Sequence, residues 1–90
     1  MAEIVIRAAG GREFEVEVSD DGRRTLHHVT VPDSFVQQFG MHEDVERLLR
    51  ESFRFLLERE PASSILSRFS LSDISRYFPE YTQELGRLLQ

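Results

Sequence analysis

Histidines 27, 28 and 42 are the only imidazoles in the chain, and with no cysteine present they are the only strong ligands a transition metal would find. His27 and His28 are adjacent, and adjacent side chains on a strand leave opposite faces, so the pair does not converge on one ion. They are read as structural or surface residues, and no metal or other cofactor is expected. Glu13, Glu15 and Glu17 alternate with Phe14, Val16 and Val18. Same-face carboxylates two residues apart stand about 6–7 Å apart along a strand, too wide to chelate a hard cation without further groups. The better reading is a solvated acidic face that can attract a basic partner. Ser63, Ser64, Ser67, Ser70, Ser72 and Ser75 lack a nucleophile elbow, and no histidine follows them to act as base. Gly10-Gly11 lacks the downstream Gly-Lys of a phosphate-binding loop. No catalytic residues are assigned, and an enzyme is the least supported class.

The most distinctive local sequence is Arg76-Tyr77-Phe78-Pro79-Glu80-Tyr81. Its aromatic side chains form either a core corner with the hydroxyls at the rim or an exposed patch for a partner. Both hold at once if Tyr77 and Phe78 leave a short helix about 100° apart.

The elements that must position these residues belong to a short chain. Ninety residues suffice for one domain, and 40% apolar and 30% charged residues, with seven Phe, suit a packed core. The net charge is −5 and all 11 basic residues are Arg, which opposes an indiscriminate nucleic-acid coat while leaving room for a local basic strip. The absence of cysteine excludes a disulfide framework. With no leader-like start and no long apolar run, a cytoplasmic protein is expected.

Ile4-Val5-Ile6, the alternating segment 13–18 and the β-rich run from Thr25 to Val31 predict a three-stranded antiparallel meander, with turns at Gly10-Gly11 and Asp20-Asp21-Gly22. A short helix carrying Phe35 and Phe39 follows Pro32 and closes at Gly40. From Glu43 to about Glu60, apolar residues recur at three- and four-residue spacing, the mark of an amphipathic helix. Glu43–Arg47 and Glu46–Arg50 support it as i,i+4 pairs. After Pro61 the pattern predicts a helix with Ile65, Leu66 and Phe69 on one face. Ser70-Leu71-Ser72-Asp73 then has capping-box spacing for a helix carrying Leu71, Ile74 and Phe78, and a last helix carries Tyr81, Leu85, Leu88 and Leu89.

The stretch Phe53 to Tyr81, FRFLLEREPASSILSRFSLSDISRYFPEY, resembles the C-terminal signature of a group of small uncharacterised bacterial proteins. Those proteins join a short β-rich N-terminus to FLLEREP, SIL and an aromatic-rich YFPEY. The resemblance implies a related fold and a bacterial cytosolic setting, and it carries no activity. His28 to Pro32, a short helix and then a long one is similar in order to ribbon-helix-helix proteins, although the strand offers only His28 and Thr30 as base readers. FSLSDISRYFPEY is similar in texture to the turn and second helix of helix-turn-helix repressors, with Ser72, Arg76 and Tyr77 at contact positions.

The sequence thus predicts a single α+β domain over residues 1–90, β-rich over 1–32 and helical over 33–90. Its expected role is that of a non-catalytic interaction or regulatory protein, antitoxin-like, with an unidentified protein partner. A dimeric DNA-binding regulator is the alternative. The expected partner surface comprises Glu13, Glu15, Glu17, Phe55, Arg76, Tyr77 and Tyr81. The apolar positions of the long helix, bounded by Phe55 and Leu57, spread over roughly 200°, wider than one core contact needs. A homodimer through that helix is the expectation, and no membrane contact is.

Overall fold

The computed structural model describes residues 2–90. Strands β1 (Glu3–Ala8), β2 (Glu13–Asp20) and β3 (Arg23–Thr30) form the expected antiparallel meander. Asp21 and Gly22 join β2 to β3 with φ of 52° and 78°. Two consecutive positive φ values match a tight turn to the right-handed strand twist, and the glycine takes the second without a Cβ clash. The pairing of Ile4 with Val18 and of Val18 with Thr25 puts one parity of every strand on the inner face. Ile4, Ile6, Val16, Val18, His27 and Val29 therefore point inward. Phe14 belongs to the same face, but near the end of β2 it is only half-buried, short of the full burial that strict alternation predicts.

Helix α1 (Asp33–Phe39) follows Pro32 and ends at Gly40, whose φ of 64° and ψ of 32° are the left-handed C-cap conformation. Helix α2 (Val45–Arg59) starts two residues later than the sequence pattern predicts, because the Asp44 carboxylate accepts the Arg47 amide at 3.0 Å and fixes the start there. Glu43 consequently lies outside the helix, while Glu46 and Arg50 pair at 3.8 Å as expected. Leu48, Leu49, Ser52, Phe53, Phe55 and Leu56 are all buried along α2.

Beyond Pro61 the expected helix is replaced. A single 3-10 turn spans Ala62–Ser64, the chain becomes extended at Ile65, and β4 (Arg68–Ser70) pairs with β3 in parallel. The sheet has four strands in the order β1-β2-β3-β4. Ile65 and Phe69 enter the core, but Leu66 is 54% exposed, so the three do not share a face. The physical reason is the outer edge of β3, whose unpaired backbone groups offer hydrogen bonds that an eight-residue helix would forgo. The His28 amide donates to the Ser67 carbonyl at 2.7 Å, and Val29 and Phe69 pair across the two strands.

The capping box forms as predicted. Ser70 and Asp73 bond reciprocally around a second 3-10 turn, Leu71–Asp73, which leads into α3 (Ile74–Tyr77). Helix α4 (Tyr81–Leu88) closes the chain with Tyr81 and Leu85 buried.

Helix α2 is covered on two sides, so most of the apolar arc from which self-association was expected is buried within the chain itself. Phe53 meets the sheet layer through His27 and Phe69, with ring centroids 5.4 and 6.0 Å away. Phe55, two positions on, meets Phe78 and Tyr81 at 5.9 and 5.2 Å. Its exposure is 1% and that of Tyr81 is 0%, so neither presents a side chain to a partner. The wide apolar arc belongs to a core closed by the short elements after Pro61.

Candidate functional site

The segment after α2 is held by two polar staples. In the first, the Ser52 hydroxyl donates to the Leu48 carbonyl at 2.7 Å and has no proton left, so the Tyr81 hydroxyl donates to Ser52 at 2.7 Å. Burial raises the Tyr81 phenol well above its usual range, with the Ser52 bond opposing the shift, and the group is a fixed donor. Above it, the Arg59 guanidinium lies over the Phe55 ring, 3.6 Å from the centroid, and donates to Glu80 at 3.2 Å. Glu80 is held below the usual carboxylate range by its own backbone amide and by Arg59. Arginine and glutamate from FLLEREP and YFPEY thus meet each other, and the aromatic residues of the same two motifs pack beneath them.

The second staple is His27. Its Nδ1 lies 2.7 Å from the Leu66 carbonyl, which only accepts, so Nδ1 carries the proton and Nε2 accepts from the Thr25 hydroxyl at 2.9 Å. Burial lowers the imidazole pKa, and the bond to Leu66 opposes the shift. The side chain fastens the extended segment to β3. His28 leaves the other face of the strand, as alternation requires. Among the described residues no three His, Asp or Glu side chains gather as a metal would need.

Between these staples the chain leaves a groove of about 270 Å³. The C-terminal half of α2 gives it Leu56 and Glu60, the extended segment gives Ser64, Ile65, Leu66 and Phe69, and the last turns give Asp73, Ile74, Tyr77 and Phe78. Ile65, Phe69, Ile74 and Leu56 are core residues that form its apolar base. Leu66 at 54% and Tyr77 at 68% are the two most exposed large apolar side chains described, and both line it. Tyr77 and Phe78 divide as their angular offset predicts, one toward solvent and the other half-buried against Phe55.

A larger cleft of about 550 Å³ lies along a different face of α2, lined by Ile4, Arg50, Arg54 and Leu57 among others. Its arginines are already engaged. Arg50 donates to the Ile4 carbonyl at 2.8 Å and pairs with Glu46, and Arg54 donates to Glu51 at 2.6 Å.

Of the residues expected to meet a partner, Arg76 and Tyr77 are exposed beside or on the groove's last turn, and Phe55 and Tyr81 lie beneath it in the core. Glu13, Glu15 and Glu17 stand apart, on the outer sheet face. Glu13 is exposed, while Glu15 and Glu17 are partly covered, with Arg7 of β1 lying 3.6 Å from both. Arg24 of β3 adds a second pairing to Glu17 at 3.8 Å. Register therefore sets two arginines among those carboxylates and pairs Glu15 and Glu17 but not Glu13, a result that the parity of Arg7 and Arg24 in the flanking strands already encodes. The sequence did not mark Leu66, Glu60 or Asp73 as residues of a site. Leu66 looked like a core residue under a helical period, and the carboxylates sit in different elements.

No protein-family model, curated protein or solved structure matches the chain. Among the described residues no helix is long and apolar enough to cross a membrane.

Proposed function

We propose that this chain is a small, non-catalytic interaction protein, a regulatory or antitoxin-like subunit of a bacterial cytoplasm, and that the groove between α2, the extended segment and α3 is its working surface. The observation that carries the reading is the placement of Leu66 and Tyr77, the most exposed large apolar side chains described, on one concave apolar surface. The resemblance of Phe53–Tyr81 to a small bacterial group supports it, because FLLEREP, SIL and YFPEY each contribute residues that line the groove. The buried polar groups Ser52, Tyr81 and His27 satisfy one another and the backbone, which is what a supporting role asks of them.

The DNA-binding alternative finds less support. β3 lies between β2 and β4 and so has no free edge for a ribbon with a second subunit. Helix α3 has four residues, one turn, which is short for an element that must lie along a major groove. Seven arginines, at positions 7, 12, 24, 50, 54, 59 and 87, already pair with carboxylates.

Titrating isotope-labelled protein with a small apolar probe such as indole, and following amide resonances, tests the surface. The expected result is a set of shifts confined to residues lining the groove and lost in Leu66→Asp/Tyr77→Asp at unchanged thermal stability. Shifts of equal size around Val5 and Leu26 on the outer sheet face would overturn it.

A further inference from the structure

We infer that the groove receives a short segment of another protein in which one bulky apolar side chain is flanked by lysine or arginine. The inference rests on the groove being the working surface and adds the chemistry of its occupant. The volume of about 270 Å³ falls below the about 300–1,000 Å³ of sites that enclose a whole small molecule, and it suits a single large side chain. The polar part of the lining has one sign. It holds Glu60, Asp73 and Ser64 and no cation. Among the described residues neither Glu60 nor Asp73 forms an ion pair, in contrast to Glu15, Glu17, Glu46, Glu51, Glu80 and Glu84. Asp73 gives one oxygen to the Ser70 amide at 3.1 Å, which leaves the other for a ligand.

Two further features favour a cation at the rim. Glu60 follows the last residue of α2, so the negative end of that 15-residue helix adds to the carboxylate. The exposed Tyr77 ring offers a face over which an ammonium or guanidinium can lie. A second copy of the chain is a poor occupant. It has no lysine and a net charge of −5, and Arg87, the cation beside its exposed Leu88, is already paired with Glu84.

The test is a phage-displayed library of random twelve-residue peptides, selected in parallel on the wild type and on Leu66→Glu/Tyr77→Glu. The wild type should enrich peptides with a Phe, Trp or Leu between basic residues, and the variant should not. The best such peptide should bind Glu60→Gln/Asp73→Asn about tenfold more weakly, with a shallower salt dependence. Should the double glutamate variant fail to fold, Tyr77→Ala serves in its place, since that side chain is mostly in solvent. Enrichment of apolar peptides without cations overturns this inference and leaves the groove as an interaction surface. No enrichment over the variant overturns both. A wild-type dimer in light scattering that the variant dissociates makes the occupant a second copy and overturns the inference.

Discussion

Two parts of the surface expose large apolar side chains, and they do so in opposite electrostatic settings. On the outer sheet face Val5 and Leu26 lie on either side of Glu17 in register, and Arg7 and Arg24 close on that glutamate from the flanking strands. Each apolar side chain there is a single patch beside Glu17, a carboxylate already paired within the sheet. In the groove Leu66 and Tyr77 border a concave apolar base, and the neighbouring carboxylates have no cation. Exposure alone does not distinguish the two. What does is whether the charges around the apolar group are already satisfied within the chain, because a paired carboxylate gains little from a partner and an unsatisfied rim gains an ion pair on desolvation.

The largest effect that sharpens this contrast lies directly under the groove. Phe55→Ala should destabilise the fold by about 3–5 kcal/mol, since the ring is buried against Phe78, Tyr81 and the Arg59 guanidinium. Tyr77→Ala, at the exposed rim of the same groove, should stay within about 0.5 kcal/mol. Urea melts of the two variants measure the difference. Comparable losses would mean that the rim is part of the core, and the groove would cease to be a surface.

The contrast was only half legible in the sequence, and the reasons are local. Alternation over residues 13–18 and the three- and four-residue spacing of α2 are strong signals because each is sustained over several periods of its element. The capping box at Ser70–Asp73 is legible for a similar reason, since both partners lie within one turn. β4 is three residues long and pairs with a strand about 40 positions earlier in the chain, so no window around it contains its partner. Without β4 the segment reads as helix, Leu66 is placed in the core, and the groove has no second wall. The width of the apolar arc on α2 was readable, but whether Phe55 faces a second copy or Tyr81 depends on how the short elements fold back. The division between Tyr77 and Phe78 was readable in outline, since a helix separates neighbouring side chains by about 100°, although Phe78 itself caps α3 with a non-helical backbone.

A second experiment probes the staple that holds the groove's extended wall. Burial keeps the His27 pKa below its unfolded value of 6.5, so the unfolded chain binds the proton more readily. The stability that neutral His27 contributes is therefore complete above about pH 6.5 and is lost as the pH falls from there through its folded-state pKa. In His27→Gln, which cannot titrate, this component is absent, whereas every other titratable group is common to both proteins. The urea midpoint of the wild type should fall more steeply than that of the variant between about pH 7 and pH 5. A wild type that gains on the variant over that interval would mean that the charged imidazole is the favoured form, contrary to a buried staple.

The smallest expected effect lies on the outer sheet face, and its smallness is what the comparison requires. Arg7 reaches Glu15 and Glu17 at 3.6 Å, and Arg24 reaches Glu17 at 3.8 Å, all through side chains that remain partly in water. Pairs of this kind contribute about 0–1 kcal/mol, because solvent screens the attraction and ordering two long side chains costs entropy. Glu17→Gln should therefore change stability by no more than about 0.5 kcal/mol in low salt, and about 1 M salt should erase the difference. The substitution should also leave the binding of any groove ligand unchanged, since Glu17 is on the opposite face of the sheet from α2. A loss above about 2 kcal/mol would show that these ion pairs hold the sheet together and do not merely solvate it. The outer face would then be a structural element, and its two exposed apolar side chains could no longer serve as the neutral control for Leu66 and Tyr77.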